Sequence, residues 1–237
     1  MKLELTNIKK TFGEKVALDI DNYVVNYGEV IGLVGNNGAG KTTMFRVILD
    51  LIKPDNGEVS IDGINPAQSE EWKQFTGAYV DSGFLIDYLT PEEYFSFIAK
   101  ITNLSKEELD ERLKSFEGFM NGEVLGQNTL IRNLSMGNKQ KVGIIAAMLT
   151  RPKLLILDEP FNFLDPTSQL AMKNLIESYN KETGATVIVS SHNLVHTIDI
   201  CTRVTLLEHG RVIKDYDKES HKDIIHEIED YFVGNVK

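Results

Sequence analysis

The eight residues Gly35-Asn36-Asn37-Gly38-Ala39-Gly40-Lys41-Thr42 restrict what this chain can fold into more than any other segment. They fit the spacing G-x-x-x-x-G-K-[ST], in which small residues let successive backbone N–H groups converge on phosphate oxygens. The positive end of the following helix adds to that field, Lys41 reaches the outer phosphates, and the Thr42 hydroxyl can ligate Mg²⁺. Ahead of the loop lies Val30-Ile31-Gly32-Leu33-Val34, apolar on both faces, and Thr43 to Leu51 after it reads as a helix. A tight turn with an exposed lysine could have the same composition, but this strand-loop-helix context favours a nucleotide site, with Thr43 completing the expected phosphate-binding set.

A second buried strand, Leu154-Leu155-Ile156-Leu157, ends in Asp158-Glu159. Ligands of open α/β sheets bind beyond the carboxyl ends of such strands. Beside a phosphate loop, Asp158 is expected on the Mg²⁺ side of the site, acting through Thr42 and water, while Glu159 points elsewhere and polarises an attacking water. About twenty residues upstream, Leu134-Ser135-Met136-Gly137-Asn138 opens another helix with a serine at the cap position. That is a second phosphate-ready helix terminus. One chain has one nucleotide to serve, so this terminus is expected to meet the nucleotide of another copy in a head-to-tail dimer.

The remaining pattern fits a parallel sheet with crossover helices. Thr186 to Ser190 is a third strand apolar on both faces, as strands covered from both sides are. The alternating segments Lys2 to Asn7, Val16 to Asp19, Tyr23 to Asn26 and Glu58 to Asp62 suit an antiparallel edge sheet. Helical patterns occupy Pro91 to Ile101, Lys106 to Met120 and Met136 to Leu149, and Ser105 with Glu108 forms a capping box ahead of the second. Leu206-Leu207 and Val212-Ile213 flank a turn at His209-Gly210, and Ser220 to Phe232 reads as a terminal amphipathic helix. The expected fold is therefore an α/β P-loop NTPase with a mainly parallel central sheet, an antiparallel β edge subdomain and an inserted helical subdomain at about 82–149. The nucleotide-binding domain is expected to span 1–219, with a short helical extension at 220–237.

Composition excludes some partners. The chain carries 25 Lys+Arg against 35 Asp+Glu, a net charge of −10, which removes the electrostatic term that nucleic-acid binding relies on. The longest apolar run, Val142 to Leu149, is too short to span a bilayer and reads as a core helix. The N-terminus lacks the apolar block of a signal peptide. Cys201, the single cysteine, is expected to be a buried small hydrophobe and not a reactive thiol.

Taken together, these segments resemble the ATP-binding cassette subunits of ABC transporters over nearly the whole chain. Gly35 to Thr42 resembles the Walker A loop, Leu134 to Asn138 the signature motif, and Leu154 to Glu159 Walker B. Asn162-Phe163-Leu164-Asp165 is similar to the D-loop, and Ser190-Ser191-His192 to the switch histidine. The resemblance implies that ATP and Mg²⁺ bind here and that Phe12 stacks on adenine, where packing into the core is the other reading of an aromatic at a strand end. It also implies that Glu159 is the general base and that His192, expected at a buried strand end, contacts the γ-phosphate. Asp165 is implied to couple the two sites of a dimer.

Aligning Gly77-Ala78-Tyr79-Val80 with the strand that leads into the helical insertion puts Asp81 where the family usually has a Mg²⁺-ligating Gln. Met136 and Asn138 likewise replace the usual Gly and Gln of the signature. The Leu-Ser-Met-Gly variant followed by Lys-Gln is similar to cassettes of bacterial exporters of the bacitracin-resistance and multidrug type. The resemblance thus implies a cytoplasmic ATPase, paired with a second cassette and held at the inner face of the membrane by a separately encoded permease. The segment Asp81 to Tyr94 is the expected coupling surface. A soluble ABC ATPase acting on a scaffold or nucleic acid is the alternative. Too few residues separate Lys41 from Asp158 for the long coiled coil of the DNA-repair relatives.

Overall fold

The computed structural model describes residues 2–192, 194–218, 226–228 and 231. Most of the expected terminal helix at Ser220 to Phe232 lies outside the described residues, of which 226–228 and 231 are helical. Nine strands are described. β1 (Lys2–Phe12), β2 (Lys15–Asn26) and β4 (Asn56–Ile61) form an antiparallel sheet in the order β2-β1-β4. The second sheet contains β3 (Val30–Val34), β5 (Thr76–Tyr79), β6 (Leu154–Leu157), β7 (Thr186–Ser191), β8 (Arg203–Glu208) and β9 (Arg211–Asp217), in the order β5-β6-β7-β3-β8-β9. Its first five strands pair in parallel and β9 closes the edge antiparallel. This is the mixed, mainly parallel α/β architecture expected from the strand patterns.

Both faces of the large sheet are covered, which is why its strands are continuously apolar. Alternate residues go to different cores. Ile31 and Leu33, Leu154 and Ile156, and Ile188 pack with the antiparallel sheet and with Met44, Phe45 and Ile48 of α1 (Lys41–Ile48). Val30 and Val34, Leu155 and Leu157, and Val187 and Val189 pack on the opposite side, against the helices. Cys201 is buried there, and burial pushes its thiol pKa up, in line with an inert small hydrophobe.

Between β5 and β6 run α2 (Pro91–Ile101), α3 (Lys106–Lys114), α4 (Glu117–Met120) and α5 (Met136–Met148). Capping boxes start α2 at Thr90 and α3 at Ser105. The single helix expected from Lys106 to Met120 is broken. Ser115 folds back, its N–H and hydroxyl both donating to the Arg112 carbonyl, and Phe116, Phe119 and Met120 then turn into the core. The two short strands expected between Val16 and Asn26 are instead one, because Ile20 is buried opposite Ile8 and carries the pairing across the polar middle. The hairpin at His209-Gly210 forms with both residues at positive φ, as a two-residue turn between right-twisted strands requires. Two further α-helices, α6 (Pro166–Thr183) and α7 (Leu194–Ile200), follow β6 and β7.

Phe95 of α2 is fully buried in the core shared by the helices and the sheet. Phe95→Ala is expected to lower equilibrium stability by about 3–5 kcal/mol, read by denaturant unfolding.

Candidate nucleotide site

The site sits where β3, β6 and β7 end. Leu157 of β6 pairs with Val189 of β7, and Val34 of β3 pairs with Ser191, so the three strands finish within a residue or two of each other. Asp158 therefore emerges beside Ser190, and the Gly35–Thr42 loop emerges beside His192. Gly40 shows why the loop needs glycine. Its φ is +113°, and a Cβ there would lie 2.7 Å from the Ala17 carbonyl oxygen. The loop then enters α1, whose first backbone N–H groups have no partner within the helix.

Asp158 is buried at the centre of the cluster. The Thr42 hydroxyl donates to its Oδ2 at 2.5 Å, and the buried Ser190 hydroxyl donates to its Oδ1. Burial raises its pKa above the ordinary value, against the lowering effect of the two hydroxyls. Glu159 takes the opposite direction, as expected from its adjacency. Its Oε2 meets His192 Nδ1 at 2.8 Å and its Oε1 lies 3.3 Å from Lys41 Nζ, which also donates to the Gly35 carbonyl at 2.7 Å. Glu159 has a φ of +49°, a left-handed conformation that costs a non-glycine residue about 1–2 kcal/mol. His192 is 45% exposed, not buried as its strand suggested. β7 stops at Ser191, and the histidine falls on the polar rim beyond it.

The other expected site residues divide into three groups. Phe12, at the tip of the β1–β2 hairpin, is 52% exposed, which removes the core-packing reading, and Lys10 Nζ lies 5.4 Å from its ring centroid. Asp81 is turned to Arg46 of α1, 3.3 Å away, and accepts from the Gly83 N–H at 2.7 Å; no hydrogen bond to Thr42 or Asp158 forms among the described residues. Leu134 to Asn138 sits at the start of α5, where Ser135 caps the helix by accepting from the Asn138 N–H. Among the described residues, no hydrogen bond joins this segment to the phosphate loop of its own chain. It lies against the Phe163 carbonyl instead, next to Asp165, whose carboxylate caps α6 through Thr167 and Ser168. The Ser168 hydroxyl chiefly lowers the Asp165 pKa.

Thr42 and Asp158 offer a hydroxyl and a carboxylate oxygen, a donor set suited to a hard cation. No cluster of three or more His, Cys, Asp or Glu able to hold a metal exists among the described residues. An ion here would thus need phosphate oxygens and water to complete its shell, which is the usual mode for Mg²⁺.

The family described as ABC transporter matches residues 18–162, which include the phosphate loop, the helical insertion and Glu159. The chain belongs to the ABC transporter family. It is an ATP-binding subunit of that family and an ATPase. It is 33% identical over 214 residues to the bacitracin transport ATP-binding protein BcrA of Bacillus licheniformis, covering 90% of this chain and 69% of that protein. It is 30% identical over 247 residues to the methionine import ATP-binding protein MetN 1 of Oceanobacillus iheyensis, covering 97% and 73%. A solved ATP-binding subunit of an ABC transporter superposes with a TM-score of 0.86 at 28% identity, covering all of both chains. A dimeric post-hydrolysis state of the cassette MJ0796, bound to ADP and Pi, gives 0.78 at 27% identity, covering 91% and 98%.

Two residues that hold this ABC site together had no role assigned from sequence. Ser190 stood within the switch-histidine segment and Gln140 within the helix after the signature. A polar side chain set among apolar neighbours is the signal each carried, and only the fold shows what it faces.

The Asp158 environment predicts a pH effect. A carboxylate whose folded-state pKa is raised stabilises the fold at low pH, and that contribution is lost as pH rises above about 4 through the raised value. Nucleotide-free Asp158→Asn is thus expected to melt above wild type at pH 7 and to lose that advantage as pH falls through the raised value to about 4, by scanning calorimetry. An equal melting temperature across this range contradicts the assignment.

Proposed function

We propose that this chain is the ATPase of an exporter, working as a cassette dimer on a separately encoded membrane subunit. The observation that carries the exporter reading is the Leu134-Ser135-Met136-Gly137 signature variant, which the similarity to the bacitracin transport protein supports. In this reading Lys41 and the loop Gly35, Asn36, Asn37, Gly38, Ala39, Gly40, Thr42 and Thr43 hold the phosphates, and Phe12 stacks on adenine. Thr42 and Asp158 hold Mg²⁺, which neutralises phosphate charge when bound. Asp81, engaged with Arg46, reaches the ion only by exchanging that partner.

Glu159 accepts the proton of the attacking water, and His192, bonded to its carboxylate, orients it and stands beside the γ-phosphate. Binding of phosphate draws Lys41 away from Glu159, which frees the carboxylate for the water. The signature Ser135 and Gly137 face the nucleotide of the second cassette. The exposed Met136, Phe163 and Leu170 support a partner surface there, since apolar groups in water favour burial between copies. Asp165, occupied as a helix cap, couples the two sites through the position of α6.

The membrane subunit is assigned to a groove of 730 Å³ between the sheet and the inserted helices, lined by Leu49, Pro66, Trp72, Phe84, Tyr94 and Ile98. Phe84 in its lining and Tyr88, four residues on, are exposed, which supports an apolar partner segment. No helix of the described residues is long and apolar enough to cross a membrane, so in this reading the membrane spans come from the partner.

Glu159→Gln is expected to lower ATP turnover by about 10²–10⁴-fold and to accumulate an ATP-bound dimer on size-exclusion chromatography. Undiminished hydrolysis rejects this role. Phe12→Ala is expected to weaken ATP binding about tenfold, measured by calorimetric titration, on the scale of a base–aromatic stack. Tagged chain drawn from solubilised membranes is expected to bring down a polypeptide with about six apolar segments of roughly 20 residues. Recovery with ribosomes or nucleic acid supports the soluble alternative. Direction is read from cells, where Glu159→Gln is expected to raise the intracellular level of bacitracin, the compound in the name of the similar transport protein, and a fall in uptake instead supports an importer.

A further inference from the structure

Glu159 holds a left-handed backbone conformation that its own side chain does not favour, so neighbouring groups must impose it. Three do. The Ser190 hydroxyl accepts from the Glu159 N–H at 2.8 Å, the Asn162 N–H donates to the Glu159 carbonyl at 3.1 Å, and Gln140 Nε2 donates to the same carbonyl at 2.9 Å. Ser190 belongs to β7 and Asn162 to the same loop. Gln140 alone comes from α5, the last helix of the insertion, five residues after the Ser135 cap.

The Gln140 amide is itself fixed. Tyr79 Oη donates to its Oε1 at 2.9 Å, which leaves Nε2 as the end that faces Glu159. Gln140 and Tyr79 are both buried, at 5% exposure each. The Tyr79 ring lies against α5 at Gly143, where a Cβ would fall 2.1 Å from the ring, so glycine is what lets tyrosine and helix meet at this depth. Tyr79 ends β5, two residues before Asp81 and the segment assigned to the membrane partner. A buried chain of hydrogen bonds thus runs from the end of β5, across the helix that carries the signature, to the backbone of the residue assigned as base.

We propose that Gln140 is a positioning residue for hydrolysis: seated by Tyr79, it sets the backbone of Glu159 and so ties the aim of that carboxylate to the position of α5. The inference rests on the reading of Glu159 as general base. Movement of α5 when the signature engages a second cassette shifts Nε2 against a peptide held at its N–H by Ser190 of β7 and at its carbonyl by Asn162 of its own loop. The carboxylate is then correctly aimed only in one placement of the helix. Nucleotide affinity does not depend on this bond, because neither Gln140 nor Tyr79 touches the phosphate loop.

The test is steady-state and single-turnover hydrolysis by the full chain. Gln140→Met keeps length and burial but loses both hydrogen bonds, and is expected to lower kcat about tenfold, the worth of one such bond, with KM for ATP within twofold of wild type. Tyr79→Phe, which keeps the ring on Gly143 but frees the amide, is expected to lower kcat in the same sense by a smaller factor, and it serves alone if Gln140→Met does not fold. Gln140→Met placed in the Glu159→Gln background is expected to cause no further loss, since a residue acting through Glu159 has nothing left to act on. An unchanged kcat in folded Gln140→Met, a loss that multiplies with Glu159→Gln, or a rise in KM at unchanged kcat overturns the proposal. If Glu159→Gln itself hydrolyses ATP as wild type does, the reading of Glu159 falls; if it does not and Gln140→Met turns over normally, only the positioning role falls.

Discussion

Asp158 is the point at which the structure is tied together. Its two carboxylate oxygens accept hydroxyl hydrogen bonds from Thr42, at the start of α1, and from Ser190, near the end of β7, so the ends of three sheet strands are joined through one buried side chain. An ionised group in that position is costly unless it is fully hydrogen-bonded, and the two hydroxyls lower that cost. The in-phase ending of β3, β6 and β7 is what makes the arrangement available. A one-residue slip of β6 against β7 would turn Asp158 to the opposite face of the sheet and away from both hydroxyls.

From this tie the division of labour follows. One carboxylate is buried, bonded by hydroxyls and raised in pKa, and its neighbour is partly exposed and faces a lysine and a histidine. Two adjacent acids thereby acquire different environments, as pairs with different chemical tasks do. Adjacency sends the two side chains in different directions, and the left-handed turn at Glu159 sets where the second one goes. The bonds to its peptide come from β7, from its own loop and from α5, so the conformation is maintained by elements that can shift relative to one another.

The sequence was informative wherever function needs a particular residue at a particular spacing. The phosphate loop, the Asp158-Glu159 pair and the buried strands were all recognisable, because each is a contiguous segment whose local chemistry is specific. The helix after Ser105 was placed from its capping box, but its early end was not foreseen: the break depends on Phe116, Phe119 and Met120 finding a core that only the assembled fold supplies. His192 shows the same limit in reverse, since an apolar strand predicts a buried terminus while strand length decides whether the last polar residue passes the rim.

What the chain determined by itself was the set of parts: a phosphate-binding turn, an acid pair at a strand end, an inserted group of helices and a charge balance hostile to polyanions. Residues close in sequence report such parts because backbone geometry and hydrogen-bonding capacity act over a few positions. Only the tertiary structure decided which distant side chains complete them. Ser190 meets Asp158 through sheet register, Arg46 takes Asp81 from across the helix groove, and Gln140 reaches Glu159 from a different layer of the fold. These contacts join residues 19 to 35 positions apart with no periodicity to announce them, and they exist only once strand order and helix packing have brought the two surfaces together.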